Sequence, residues 1–325
     1  MLVQLNRAEG DVLDNQLESA IATVSTDFYI DLVTALWLGF TGACIGSFLN
    51  VVAYRLPLGM SVVWKPSHCP MCGHPIRARD NVPVLGWLLL GGKCRDCGAP
   101  IASRYAIVEA ILCIFFFVLA YVELFRGGEN LPGGPITGFT GAMNLVWNPN
   151  WPVISVYLYH CLAVTILLAI ALVDRDGHRA PWRLIACGII AGLVPPFLAE
   201  FVWQDSLLLN PFLFPQPANI ESYLLQVAVQ VLLAVVWSKI IAVPARLAPS
   251  RVFNLAAALS IAGLFLGVSG TYRVIFFAAF LFVHAIITLT STKKDQRTCP
   301  PTDAVWLALV FVLIAWQYFY VALDS

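Results

Sequence analysis

The residues best equipped for chemistry are four cysteines and a small set of carboxylates. Cys69-Pro70-Met71-Cys72 and Cys94-Arg95-Asp96-Cys97 stand 21 residues apart (73–93). Together they offer four soft thiolates to one ion, each pair clamping one edge of a tetrahedron, the geometry of a closed structural zinc site. Pro75, Pro83, Gly86, Gly91 and Gly92 and a short apolar run, Val82 to Leu90, lie between the pairs. So small a loop cannot bury enough apolar surface to fold alone, and a metal is the expected staple. Two disulfides are the other reading of the same four residues. His68 and His74 flank the first pair and are expected at the surface.

The carboxylates follow at the end of an apolar run. Ala171-Leu172-Val173-Asp174-Arg175-Asp176-Gly177-His178-Arg179-Ala180-Pro181 puts Asp174 and Asp176 at one mouth of a spanning helix. An ionisable group there is costly and a functional candidate; the alternative is a solvated turn screened by Arg175, Arg179 and Arg183. Glu109, one turn into another apolar helix, is the remaining acid in such a place, with Arg55 or Arg104 as the expected counter-charge.

The elements that must hold these groups are membrane helices. The 325 residues are 59% hydrophobic and 12% charged with a mean hydropathy of +0.80, about half the charge of a soluble protein. Apolar runs predict an all-α polytopic membrane protein of about eight spans, near 31–53, 104–125, 152–174, 182–203, 221–245, 253–269, 272–291 and 304–322. Pro195-Pro196 is expected to kink or break the fourth. Sixteen of the 19 basic residues fall in 55–104, 175–183, 239–251 and 293–297. By the positive-inside rule those loops, the cysteine loop among them, are cytoplasmic and both termini external; the same placement keeps thiols reduced. The implied organisation is a polar segment 1–30 without a cleavable signal, a first unit 31–125 with the cysteine loop at 55–103, an external loop 126–151, and a helical membrane unit 152–325. A net charge of zero excludes a basic nucleic-acid-binding surface. Trp147, Trp151, Trp182, Trp203 and Trp306 are expected in the interfacial belt. Cys44, Cys113, Cys161 and Cys187 read as small core residues, and no internal repeat stands out.

Gly46-Ser47-Phe48-Leu49-Asn50-Val51-Val52-Ala53-Tyr54-Arg55-Leu56-Pro57, the cysteine pairs, Asn81-Val82-Pro83-Val84-Leu85-Gly86-Trp87-Leu88 and Arg104-Tyr105-Ala106-Ile107-Val108-Glu109 resemble the amino-terminal half of bacterial prepilin peptidases. The resemblance implies an enzyme of the bacterial inner membrane. Such an enzyme cuts the leader from type IV prepilins or type II secretion pseudopilins and N-methylates the new terminus with S-adenosylmethionine. It implies catalytic roles for Asp174 and, secondarily, Asp176, a loop set of Asn50, Arg55, Asn81, Arg104 and Glu109, and Glu109 as a contact for the methyl donor. Asp174 followed by Pro181 keeps the family's Asp-to-Pro spacing, but Trp182 stands where its next acid would be. The family's second catalytic aspartate belongs to a Gly-x-Gly-Asp element before a Leu- and Ala-rich helix. Here Asn254-Leu255-Ala256-Ala257-Ala258-Leu259 is preceded by Ala248-Pro249-Ser250-Arg251-Val252-Phe253, with neither the glycines nor the acid. Three readings stay open: a working peptidase/methyltransferase, a relative that binds or methylates without cutting, and a membrane scaffold whose zinc loop recruits a partner.

Overall fold

A computed structural model of the chain describes residues 2–64, 66–130, 140–202, 220–245, 247–265 and 301–321. Its helices are α1 (Leu2–Arg55), α2 (Leu85–Leu89), α3 (Arg104–Leu119), α4 (Ala142–Trp147), α5 (Trp151–Arg175), α6 (Trp182–Val202), α7 (Ile220–Ala245), α8 (Pro249–Phe265) and α9 (Pro301–Val321). A 3-10 turn, Ala78–Asp80, precedes α2, and α3 runs straight into a π-helical turn, Ala120–Leu124. Among the described residues there is no strand, only two isolated antiparallel bridges, His68 with Pro75 and Lys93 with Pro100.

Three helices are long and apolar enough to cross a bilayer: Thr26–Arg55, Arg104–Leu124 and Trp151–Arg175. At 1.5 Å per residue the 25 residues of α5 extend about 37 Å, more than the roughly 30 Å hydrocarbon core. Shorter apolar stretches occupy Trp182–Val194, Val227–Ile241, Pro249–Phe265 and Thr302–Ile314, where four of the further spans are expected. The expected span 272–291 lies outside the described residues, as do Trp203 and Cys299. The backbone stays helical through Pro195-Pro196 rather than breaking there.

The axis of the bundle is α5, apolar on every side and buried along most of its length, as a helix without a polar face must be. The α1–α3 pair packs through a seam of glycines. A Cβ on Gly42 would lie 2.5 Å from the Leu112 carbonyl oxygen, and one on Gly46 2.8 Å from the Glu109 Cα, so the two backbones touch as small-residue membrane interfaces allow. Gly188 and Gly192 of α6 sit in the same way against Ile261 and Leu264 of α8. Trp147, Trp151 and Trp182 are exposed at helix ends as expected, but Trp306 is buried and donates its indole N–H to the Val164 carbonyl at 3.1 Å. It is a packing residue of the α5–α9 contact and no part of a belt. Cys44 and Cys187 are likewise exposed on helix surfaces, whereas Cys161 is in the core.

Candidate functional site

The cysteine loop is built from two copies of one turn. His68-Cys69-Pro70-Met71-Cys72-Gly73-His74-Pro75 and Lys93-Cys94-Arg95-Asp96-Cys97-Gly98-Ala99-Pro100 share their Cys, Gly and Pro positions. They fold alike: the Gly73 and Gly98 N–H groups donate to the Cys69 and Cys94 carbonyls at 2.9 Å, and the Cys69 and Cys94 N–H groups donate to His74 and Ala99. Gly73 and Gly98 take φ of +74° and +70°, conformations open to glycine without steric cost. This repeat of a few residues is legible in the sequence once the residues flanking the cysteines are aligned.

The turns face each other, so all four Sγ atoms lie within 4.8 Å of one another. Cys69 and Cys97 are 3.8 Å apart, Cys72 and Cys94 4.0 Å, close to the roughly 3.8 Å edge of a tetrahedron with 2.3 Å metal–sulfur bonds. All four thiols are free, so the disulfide alternative falls away. The Cys72 and Met71 amides hold the Cys69 thiol down to about 6. At Cys72 the His74 amide works in the same direction, but burial and the crowded sulfurs outweigh it and push that thiol up to about 12. Four thiolates this close need a cation to coexist, and the set fits zinc. His68 and His74 are exposed and outside the cluster.

Glu109 is 8% exposed and accepts the Val84 N–H on Oε2 at 2.6 Å. Val84, at φ +61°, is the N-cap of α2, so Glu109 anchors the loop to α3 through a charge-assisted bond at a helix start. Arg104, expected as its counter-charge, instead forks onto both oxygens of Asp176, its Nη2 2.9 Å from Oδ2. Arg55 donates to the Ser61 and Pro66 carbonyls. With its carboxylate committed to α2, Glu109 does not assemble with the residues around it into a donor set for S-adenosylmethionine. Asn50 donates to the Tyr105 carbonyl at 3.2 Å, and Asn81 ends the 3-10 turn.

Asp174 is fully buried at the end of α5. Asn254 of α8 donates to its Oδ1 at 2.7 Å and Thr302 of α9 to its Oδ2 at 2.8 Å. Asn254 also donates to the His178 carbonyl at 2.8 Å and accepts the Ala180 N–H at 2.7 Å. One amide thus fastens Asp174, the α5–α6 turn and α8 together. The positive charge of Arg251 reaches the same carboxylate. Asp176 does not join this cluster, being held by Arg104. Asp303, expected in a late loop, sits in the first turn of α9, 3.5 Å from Arg175. Asn254 and Thr302 escaped the sequence reading; the signal available was a polar residue opening an apolar helix.

A second buried carboxylate was also missed. Glu123, in the π turn, is fully buried with Oε1 2.6 Å from His160 Nδ1 and 3.4 Å from Asn130 Nδ2. Asn130 donates as well to the Leu313 carbonyl at 3.0 Å, while Glu123 Oε2 and Asn130 Oδ1 have no partner.

An all-helical membrane protein with a four-cysteine ribbon between its first two spans and a carboxylate locked in the bundle defines the class. Within it, the family model Bacterial Peptidase A24 N-terminal domain matches residues 40–123. A prepilin leader peptidase/N-methyltransferase of Burkholderia pseudomallei is 30% identical over 227 residues, 60% of this chain and 70% of the relative. Proteins of the same name from Klebsiella pneumoniae (39% over 176 residues, 51% of this chain, 65% of the relative) and Myxococcus xanthus (32% over 181 residues, 55% and 46%) match as well. The chain belongs to the prepilin leader peptidase/N-methyltransferase family, and it spans about half to two thirds of the length of these last two relatives. No solved structure matches.

Proposed function

We propose that this chain processes prepilin-like proteins at the cytoplasmic face of the bacterial inner membrane, with Asp174 as the carboxylate that acts on the leader peptide. In this reading about eight spans surround α5, zinc closes the cysteine ribbon, and the ribbon lies on the cytoplasmic side with the mouth of α5. The observation that carries it is the burial of Asp174 at that mouth, in a chain whose Arg104 links α3 to Asp176 in the same turn. A carboxylate receiving two hydrogen bonds from neutral donors is positioned as an acceptor, the state that orients and deprotonates a water. Zinc, when bound, holds the two cysteine turns together; with four thiolate ligands it leaves no open position for substrate.

The second reading is a relative that binds, or methylates, its substrate without cutting it. Asn254 favours it, because the group 2.7 Å from Asp174 is an amide rather than a second carboxylate, and an amide cannot share a proton with it as a dyad does. Mass spectrometry of a type IV pilin co-expressed in a host lacking its own peptidase separates the two. A shortened product that disappears with Asp174→Ala establishes processing. A full-length pilin beside folded, zinc-loaded protein establishes the second reading.

A further inference from the structure

We propose that α2 is a membrane-interface foot: Leu85, Leu88 and Leu89 lie in the boundary between lipid headgroups and acyl chains, with Arg79 and Lys93 on anionic headgroups. Positions 85, 88 and 89 share one face of a helix, and in α2 that face is open, at 53%, 58% and 81% exposure. The opposite face is fixed. Gly86 is pressed so closely on the Asp80 carbonyl that a Cβ would come within 2.2 Å, and the Trp87 indole N–H donates to Ile101 at 3.0 Å. The leucines therefore cannot turn inward without dismantling the ribbon.

Depth decides what they meet. The Val84 N–H at the start of α2 bonds Glu109, the sixth residue of α3, about 7.5 Å along the helix from Arg104. The headgroup layer is about 5–8 Å thick on each side of a bilayer, so α2 begins level with its inner edge, beside a spanning helix. Gly46 of α1, well inside that span, packs on the Glu109 backbone and gives the same height. The charge fits as well. Asp80 and Asp96 are taken by Arg95 and Arg77, so Arg79 and Lys93 remain as surplus positive charge on the described part of the ribbon. An apolar face flanked by cations at this depth is what an interfacial helix presents to anionic lipid.

The test uses the full zinc-loaded chain with a benzophenone amino acid at Leu89, in vesicles of phosphatidylethanolamine and phosphatidylglycerol. Irradiation is expected to give a lipid adduct at residue 89, with phosphatidylglycerol enriched over its share of the bilayer. No adduct would mean that the face is in water, and a link to a second copy would mean a protein interface; either overturns the proposal. Equal capture of both lipids would overturn the role given to Arg79 and Lys93. Independently, L88S/L89S, with zinc content unchanged, should make tryptic cleavage at Arg79 and Lys93 several-fold faster in vesicles but not in detergent. An unchanged rate in vesicles also overturns it.

Discussion

The two fully buried carboxylates, Asp174 and Glu123, are held at opposite ends of α5 in opposite ways. His160, which faces Glu123, and Asp174 are separated by about 21 Å along that helix. Asp174 has both oxygens satisfied by neutral donors from two other helices. Glu123 depends on a histidine and an asparagine that share one oxygen, and its other oxygen is unpartnered. A charge met by fixed neutral donors needs no proton bookkeeping, whereas one met by an imidazole stands or falls with its partner. The difference teaches that burial alone does not mark a reactive site: what counts is which partners a carboxylate is given.

The largest expected effect breaks the weaker arrangement. Glu123→Ala leaves His160 and Asn130 buried without their acceptor and should cost about 3–5 kcal/mol, read by thermal unfolding in detergent. The double variant E123L/H160L should recover most of that loss, because well-packed apolar replacements of a buried pair are often neutral. At the other end, Asn254→Ala removes donors from Asp174 and His178 and an acceptor from Ala180, for about 2–3 kcal/mol. Should E123A cost less than N254A, the ranking of the two ends is wrong. Thr302→Val takes one neutral donor from Asp174 and should cost only about 1–1.5 kcal/mol in the same measurement. The smallest effect repeats the contrast in the ribbon without changing the fold's stability. In chelator-treated protein at neutral pH, Cys69, whose thiol is held to about 6 by backbone amides, should be alkylated before Cys72, pushed up to about 12. Peptide mass spectrometry gives the order, and a reversed order would mean that the sulfurs do not sit as described without metal.

How much of this was open to a sequence reader follows from the range of each interaction. The cysteine cluster is announced by two local spacings, and the α5 mouth by an acid at the end of an apolar run. The partners of that acid are not announced at all. Asn254 lies 80 residues from Asp174 and Thr302 128 residues away, so no local pattern encodes the pairing. Arg104 was legible as a functional position but not its choice of Asp176 over Glu109, which depends on how α3 and α5 sit side by side. Trp306 was misplaced for a related reason: a tryptophan near a helix end looks interfacial until the packing of that end on Val164 is known. The glycine seam of α1 was legible in principle, since Gly42 and Gly46 stand four apart in an apolar helix.

The π turn at Ala120–Leu124 makes the length of α3 a constraint in its own right. There the Phe125 N–H reaches back to the Ala120 carbonyl at 3.1 Å, one residue further than an α-helix allows. Delete one residue from this turn and it can close as ordinary α, but whatever follows the deletion rotates by about 100° and retreats about 1.5 Å relative to the helix before it. Loss of Tyr121, for instance, would swing Glu123 off the face that meets His160 without altering either residue. At this place a gap in an alignment of related chains carries more information than a substitution.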